Sequence, residues 1–184
     1  MFDEFDFSVT QLTAIKDAMQ NIPAYRPDNK EPAFVLGLIE ASNLARGTYG
    51  SKETTLKLAR GNCKGACKEG RKLAIKAYGL MKDLYRSDPG ATESIVSIPT
   101  RGDSVPRTLK RMTKTSEVWA QLPNMPGTTS PFVAGETTKE NFDTALATLR
   151  THQAAVSQAN TLFQIAEGKL PGHMMPTRNS SARL

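Results

Sequence analysis

The stretch "SKETTLKLARGNCKGACKEGRKLAIKAYGLMKDLYR", residues 51–86, decides the fold. Cations are so dense in it that any surviving apolar periodicity is informative. With Leu56 at heptad position a, the a and d places read Leu56, Ala59, Cys63, Ala66, Gly70, Leu73, Ala77, Leu80 and Leu84. None of these nine carries a charge, which predicts a long helix with a packing seam of period 3.5. Ser51 is placed to cap its start, and "SDPG" at 87–90 to stop it.

A second register begins at Phe142 and continues through Ala145, Leu149, His152, Val156, Ala159, Phe163, Ala166 and Leu170. Thr137 and Glu140 have capping-box spacing before it, and Gly168 with Pro171 suits its end. Two rods of similar length, about 51–86 and 137–168, predict an antiparallel pair packed along heptad-like seams. The seam residues, serving as core or as interface, are Leu56, Cys63, Gly70, Leu73, Leu80 and Leu84 against Phe142, Leu149, Val156 and Phe163.

Shorter helices flank this pair. Ser8 and Gln11 form a capping box with Phe7 and Leu12 as a hydrophobic staple, and Leu12, Ile15, Met19 and Ile22 follow up to Pro23. "PAYRPDNKEP", 23–32, reads as a connector. A helix from Pro32 carries Phe34, Val35, Leu38, Ala41 and Ala45 on one face, and Gly47 and Gly50 are expected to end it. Residues 87–103 read as a loop, in spite of the β-like run "SIVSIP". Asp103 or Ser104 caps another helix with Leu109, Met112, Ser116 and Trp119 on one face, and residues 122–136 form a loop. With no strand able to anchor a sheet, the expectation is an all-α bundle of four to five helices. It comprises a single domain over 1–170 and a flexible C-terminal tail over 171–184.

Composition narrows the class. Apolar residues at 39% and charged residues at 23% fit a globular chain, and no window approaches the 18 or more apolar residues of a membrane span. The segment "MFDEFDFSVT" has acids where a signal peptide has cations, so a cytoplasmic protein with two free thiols is expected.

The net charge of +6 is concentrated. Residues 51–86 hold ten cations against three acids, +7, which leaves −1 for the remainder. Heptad position b reads Lys57, Lys64, Arg71, Tyr78 and Tyr85, and Arg60, Lys68 and Lys72 widen the stripe. Lys57, Arg60, Lys64, Lys68, Arg71 and Lys72 are therefore the candidate polyanion-binding residues, with the tyrosines placed to stack on bases or on a partner. Arg107, Lys110, Arg111 and Lys114 enlarge the basic surface if they share its side. The bland alternative is a solvated face that keeps the bundle soluble.

Cys63 and Cys67 lie four apart on one helix face, and His152 on the facing rod completes a three-residue set of weak metal candidates. Structural zinc takes four ligands, however, and a buried thiol at positions a and e packs as a small hydrophobe. Four glycines remain to be explained within the long helix. The seam accounts for Gly70. Gly61, Gly65 and Gly79 imply either a second helix packed against them or a kink or break.

No Gly-rich phosphate loop, diiron Glu-x-x-His pair or nucleophile with a base in sequence reach is present, and the "RGD" at Arg101–Asp103 sits at a helix start. The expected function is a non-enzymatic structural, scaffold or adaptor protein without a cofactor. It acts through protein–protein contacts, self-association included, with Trp119 and Phe132 as anchors. Binding of nucleic acid or another polyanion through the basic face is the alternative. A metal- or thiol-based sensor at Cys63 and Cys67 is the second.

Overall fold

A computed structural model describes residues 4–168 of the chain, with side chains from residue 9 onward. In chain order the helices are α1 (Glu4–Asn21), α2 (Pro32–Leu84), α3 (Pro89–Val96), α4 (Val105–Gln121) and α5 (Lys139–Gly168), with a 3-10 turn at Pro27–Asn29. The fold is all-α: among the described residues β pairing is confined to a bridge between Ala134 and Thr137. No helix among them is long and apolar enough to cross a membrane. Leu170, Pro171 and the expected tail over 171–184 lie outside the described residues.

The largest departure from expectation is α2. It runs through Gly47 and Gly50 without a break, so the two helices expected over 32–50 and 51–86 are one of 53 residues. A glycine costs about 1 kcal/mol in a helix, but it keeps its N–H donor and does not clash with the preceding turn as proline does. Ser51 is no cap; its carbonyl accepts the Thr55 hydroxyl at 2.9 Å. The heptad register itself continues upstream, since Val35, Ser42 and Tyr49 stand seven apart ahead of Leu56 and all are buried or half-buried.

The seam is also rotated. Beside the a positions Cys63, Gly70 and Ala77, the deepest companions are Cys67, Ala74 and Met81, which are e positions. Leu73 and Leu80 at d are only half-buried, and Leu84 is exposed. Steps of four then three from position a select e, whereas the expected steps of three then four select d, and both patterns have the same period.

Three helix starts are corrected as well. Helix α1 is already under way at Ser8, so Ser8 is not its N-cap. Residues 89–96, expected as loop, form α3: the Asp88 carboxylate accepts the Ala91 N–H at 3.0 Å and Pro89 fills the first helical position. The cap of α5 is Thr138 rather than Thr137, its hydroxyl accepting the Asn141 N–H at 3.3 Å. Helix α4 begins after Ser104 with Pro106 in its first turn, as expected.

The chain divides into two compact units: residues 57–158, and residues 1–56 with 159–184. In the 57–158 unit, α2, α4 and α5 meet around Gly70. A Cβ there would overlap the Met112 sulfur of α4 and lie 3.7 Å from Leu149 of α5, so side chains of two neighbouring helices, not a backbone, fill the space that Gly70 leaves in the seam. Below it Trp119, Phe132 and Phe142 form an aromatic cluster with centroid distances of 5.0 and 5.5 Å, and Tyr85 joins Phe132 at 6.0 Å.

The other unit has a thinner interior of Met19, Val35, Ser42, Leu56, Ala159 and Ala166. Its Tyr49 and Phe163 rings pack at 5.1 Å. Within the 57–158 unit α2 and α5 run antiparallel: Gly70 faces Leu149, and Cys63 shares a wall with Val156.

Candidate functional site

Helix α2 sets Arg60, Lys64, Lys68 and Arg71 along one side of a cleft of about 590 Å³ in the 57–158 unit. Their spacings of four, four and three keep them on one helical face. Cys63, Cys67, Val105 and Val156 supply the apolar lining, and Asp103 and Ser104 close it where α4 begins. Asp103 is the acidic residue lining this cleft, and it pairs with the Arg71 guanidinium at 2.9 Å. Arg60, Lys64 and Lys68 hold no ion pair or hydrogen bond with any described residue.

Four of the six expected polyanion-binding residues thus come together. Lys57 and Lys72 do not line the cleft, and the Lys72 ammonium pairs with Glu69 at 3.0 Å. The tyrosines fail as a stacking surface. Tyr85 is buried and its hydroxyl donates to the Pro123 carbonyl at 2.8 Å, while Tyr78 packs half-buried against the core, because both fall toward the rotated seam.

Nor does α4 extend the basic face as a block. Arg111 is buried, only 3% exposed; its Nε donates to the Pro99 carbonyl at 2.8 Å and its Nη2 to the Thr100 carbonyl, so it holds the segment between α3 and α4. Lys114 pairs with Glu117 at 3.5 Å, and Arg107 and Lys110 are exposed.

The two thiols are free and buried. The Cys67 Sγ–H donates to the Thr108 hydroxyl at 3.4 Å. Burial, and after it the neighbouring Cys67, pushes the Cys63 thiol above its ordinary value, which disfavours a thiolate. His152 does not join them. It lines a separate cleft of about 670 Å³ bordered by Gly61, Gly65 and Thr148, and no three His, Cys, Asp or Glu among the described residues are grouped to hold a metal ion.

Gly61 and Gly65 line this second cleft, and Gly79 lies further along α2. A Cβ at Gly61, Gly65 or Gly79 would have nothing within 4 Å, and α2 is unbroken there, so neither a packed helix nor a break accounts for them.

A second surface was not expected. Among the described residues twelve large apolar side chains are exposed, and eight of them belong to the unit of residues 1–56 and 159–184: Ile22, Tyr25, Phe34, Leu36, Leu38, Leu44, Leu162 and Ile165. Leu44 is 73% exposed. The sequence signal was available, because Leu36 and Leu44 occupy places outside the heptad seam once that seam is carried upstream of Leu56. The expected anchors Trp119 and Phe132 are instead core, with the Trp119 indole N–H donating to the Phe132 carbonyl at 3.0 Å. Most seam residues likewise serve the chain's own interior.

No protein-family model, curated protein or solved structure matches the chain.

Proposed function

We propose that the chain is a non-catalytic assembly module that self-associates through residues 1–56 and 159–168, in the manner of a structural or adaptor protein. The supporting observation is the concentration there of eight exposed large apolar side chains around a small interior. Where such side chains adjoin on a surface they form the kind of apolar patch that marks a contact site. Burying four such side chains at about 2 kcal/mol each gives about 8 kcal/mol, inside the range that association costs.

Charge favours a second copy over a highly charged partner. Residues 1–56 and 159–184 hold eight Lys and Arg against nine Asp and Glu, −1, so two copies meet little repulsion. Residues 57–158 hold sixteen against nine, +7, and two copies of that unit would repel.

Light scattering tests the reading. The intact chain is expected to be a dimer or larger, and Leu44→Glu is expected to give monomers with unchanged helical circular dichroism. A wild-type chain that stays monomeric at its solubility limit would overturn it.

A further inference from the structure

The basic cleft combines two features that select for one kind of ligand. Arg60, Lys64 and Lys68 are cations without partners among the described residues, which leaves uncompensated positive charge around one opening. Beneath them the lining is apolar, made by Cys63, Cys67, Val105 and Val156 from α2, α4 and α5. A solvated face of lysines needs no such interior, and a purely structural core would not leave about 590 Å³ open. That volume falls in the range of small-molecule sites, about 300–1,000 Å³.

We propose that this cleft binds a small organic anion: an apolar body seated on Cys63, Cys67 and Val156, with a sulfonate, phosphate or carboxylate among Arg60, Lys64 and Lys68. Nucleic acid fits less well. No aromatic ring lines the cleft on which a base could stack, and the two expected tyrosines pack toward the core, Tyr78 half-buried and Tyr85 buried. A bare inorganic anion would leave the apolar lining unused. The thiols act here as packing atoms; the high pKa side on which Cys63 sits suits a neutral, apolar wall.

The probe is anilinonaphthalene sulfonate, whose fluorescence reports an apolar seat. Its uncharged analogue N-phenylnaphthylamine, inorganic sulfate and a short DNA duplex are the comparison ligands. The expected result is one bound probe per chain in this cleft, with affinity falling about tenfold or more in the double variant Lys64→Glu, Lys68→Glu. The milder pair Lys64→Gln, Lys68→Gln should give a smaller loss in the same direction, and melting curves verify that both remain folded.

The analogue and sulfate should each bind more weakly than the probe, and raised salt should weaken the probe alone among the two aromatics. Leu44→Glu, which lies in the other unit, should leave this binding unchanged, so that failure of self-association and failure of the anion site are read separately. Probe affinity equal in wild type and both variants would overturn the proposal. So would sulfate binding as tightly as the probe, or a duplex that displaces the probe at lower concentration than the probe's own affinity requires.

Discussion

Helix α2 belongs to both units, and its inward face changes character where it passes Leu56. Upstream the heptad positions are Val35, Ser42 and Tyr49, flanked by half-buried Ile39, Arg46 and Glu53; downstream they are Cys63, Gly70 and Ala77, flanked by Cys67, Ala74 and Met81. The downstream face is made of small and sulfur-bearing side chains because α4 and α5 both close on it. The upstream face mixes a tyrosine, an arginine and a glutamate, and large apolar side chains remain outside it. The same helix thus completes a core in one region and leaves apolar surface unspent in the other.

The contrast is broken or sharpened first by truncating one aromatic in each region. Phe142, wholly buried and packed against Trp119, is expected to cost about 3–5 kcal/mol when changed to alanine. Phe163 is half-buried against Tyr49, so Phe163→Ala should cost roughly a third of that in urea denaturation. Equal losses would show that the region around Phe163 has a core as developed as the other.

The glycines of α2 give the next largest effect, and with opposite signs. Gly70→Ala forces Met112 aside, in a place hemmed by Leu149, and should destabilise by about 1–3 kcal/mol. Gly61→Ala and Gly65→Ala meet open space in a helical backbone and should each stabilise by about 1 kcal/mol. Thermal denaturation of the three variants decides it. A loss of stability at Gly61 would mean that something other than solvent occupies its cleft.

What could be read from residues alone follows from how each signal is encoded. Period 3.5 survives any composition, so the all-α class and the α2–α5 pairing were legible from residues 56–84 and 142–166. A heptad does not say whether d or e accompanies a, and that ambiguity misplaced Leu73, Leu80, Leu84 and both tyrosines. Gly47 and Gly50 look like punctuation locally, although Val35, Ser42 and Tyr49 extend the register across them. Asp88-Pro89 was a complete start signal, cap followed by proline, obscured by the reading of "SDPG" as a stop. In the candidate site the cations Arg60, Lys64, Lys68 and Arg71 were legible as a face. Their apolar floor was not, because Val105 and Val156 reach it only through tertiary packing.

The smallest expected effect concerns acid. Asp143 on α5 is partly buried, which would raise its pKa, but the Lys139 ammonium and the Ser116 hydroxyl both donate to its carboxylate at 2.5 Å and hold it below the ordinary 3.8. A carboxyl depressed on folding adds stability that is fully present above its unfolded pKa and disappears as pH falls through its folded value. The side chain is 39% exposed, so solvent screening keeps the gain small. Asp143→Asn should therefore lower the melting temperature slightly at neutral pH and leave it unchanged relative to wild type in strong acid, where the wild-type carboxyl is protonated too. If the difference between the two chains grows as pH falls, the ties from Ser116 and Lys139 are not what stabilises the start of α5, and the Thr138 cap alone must set where that helix begins.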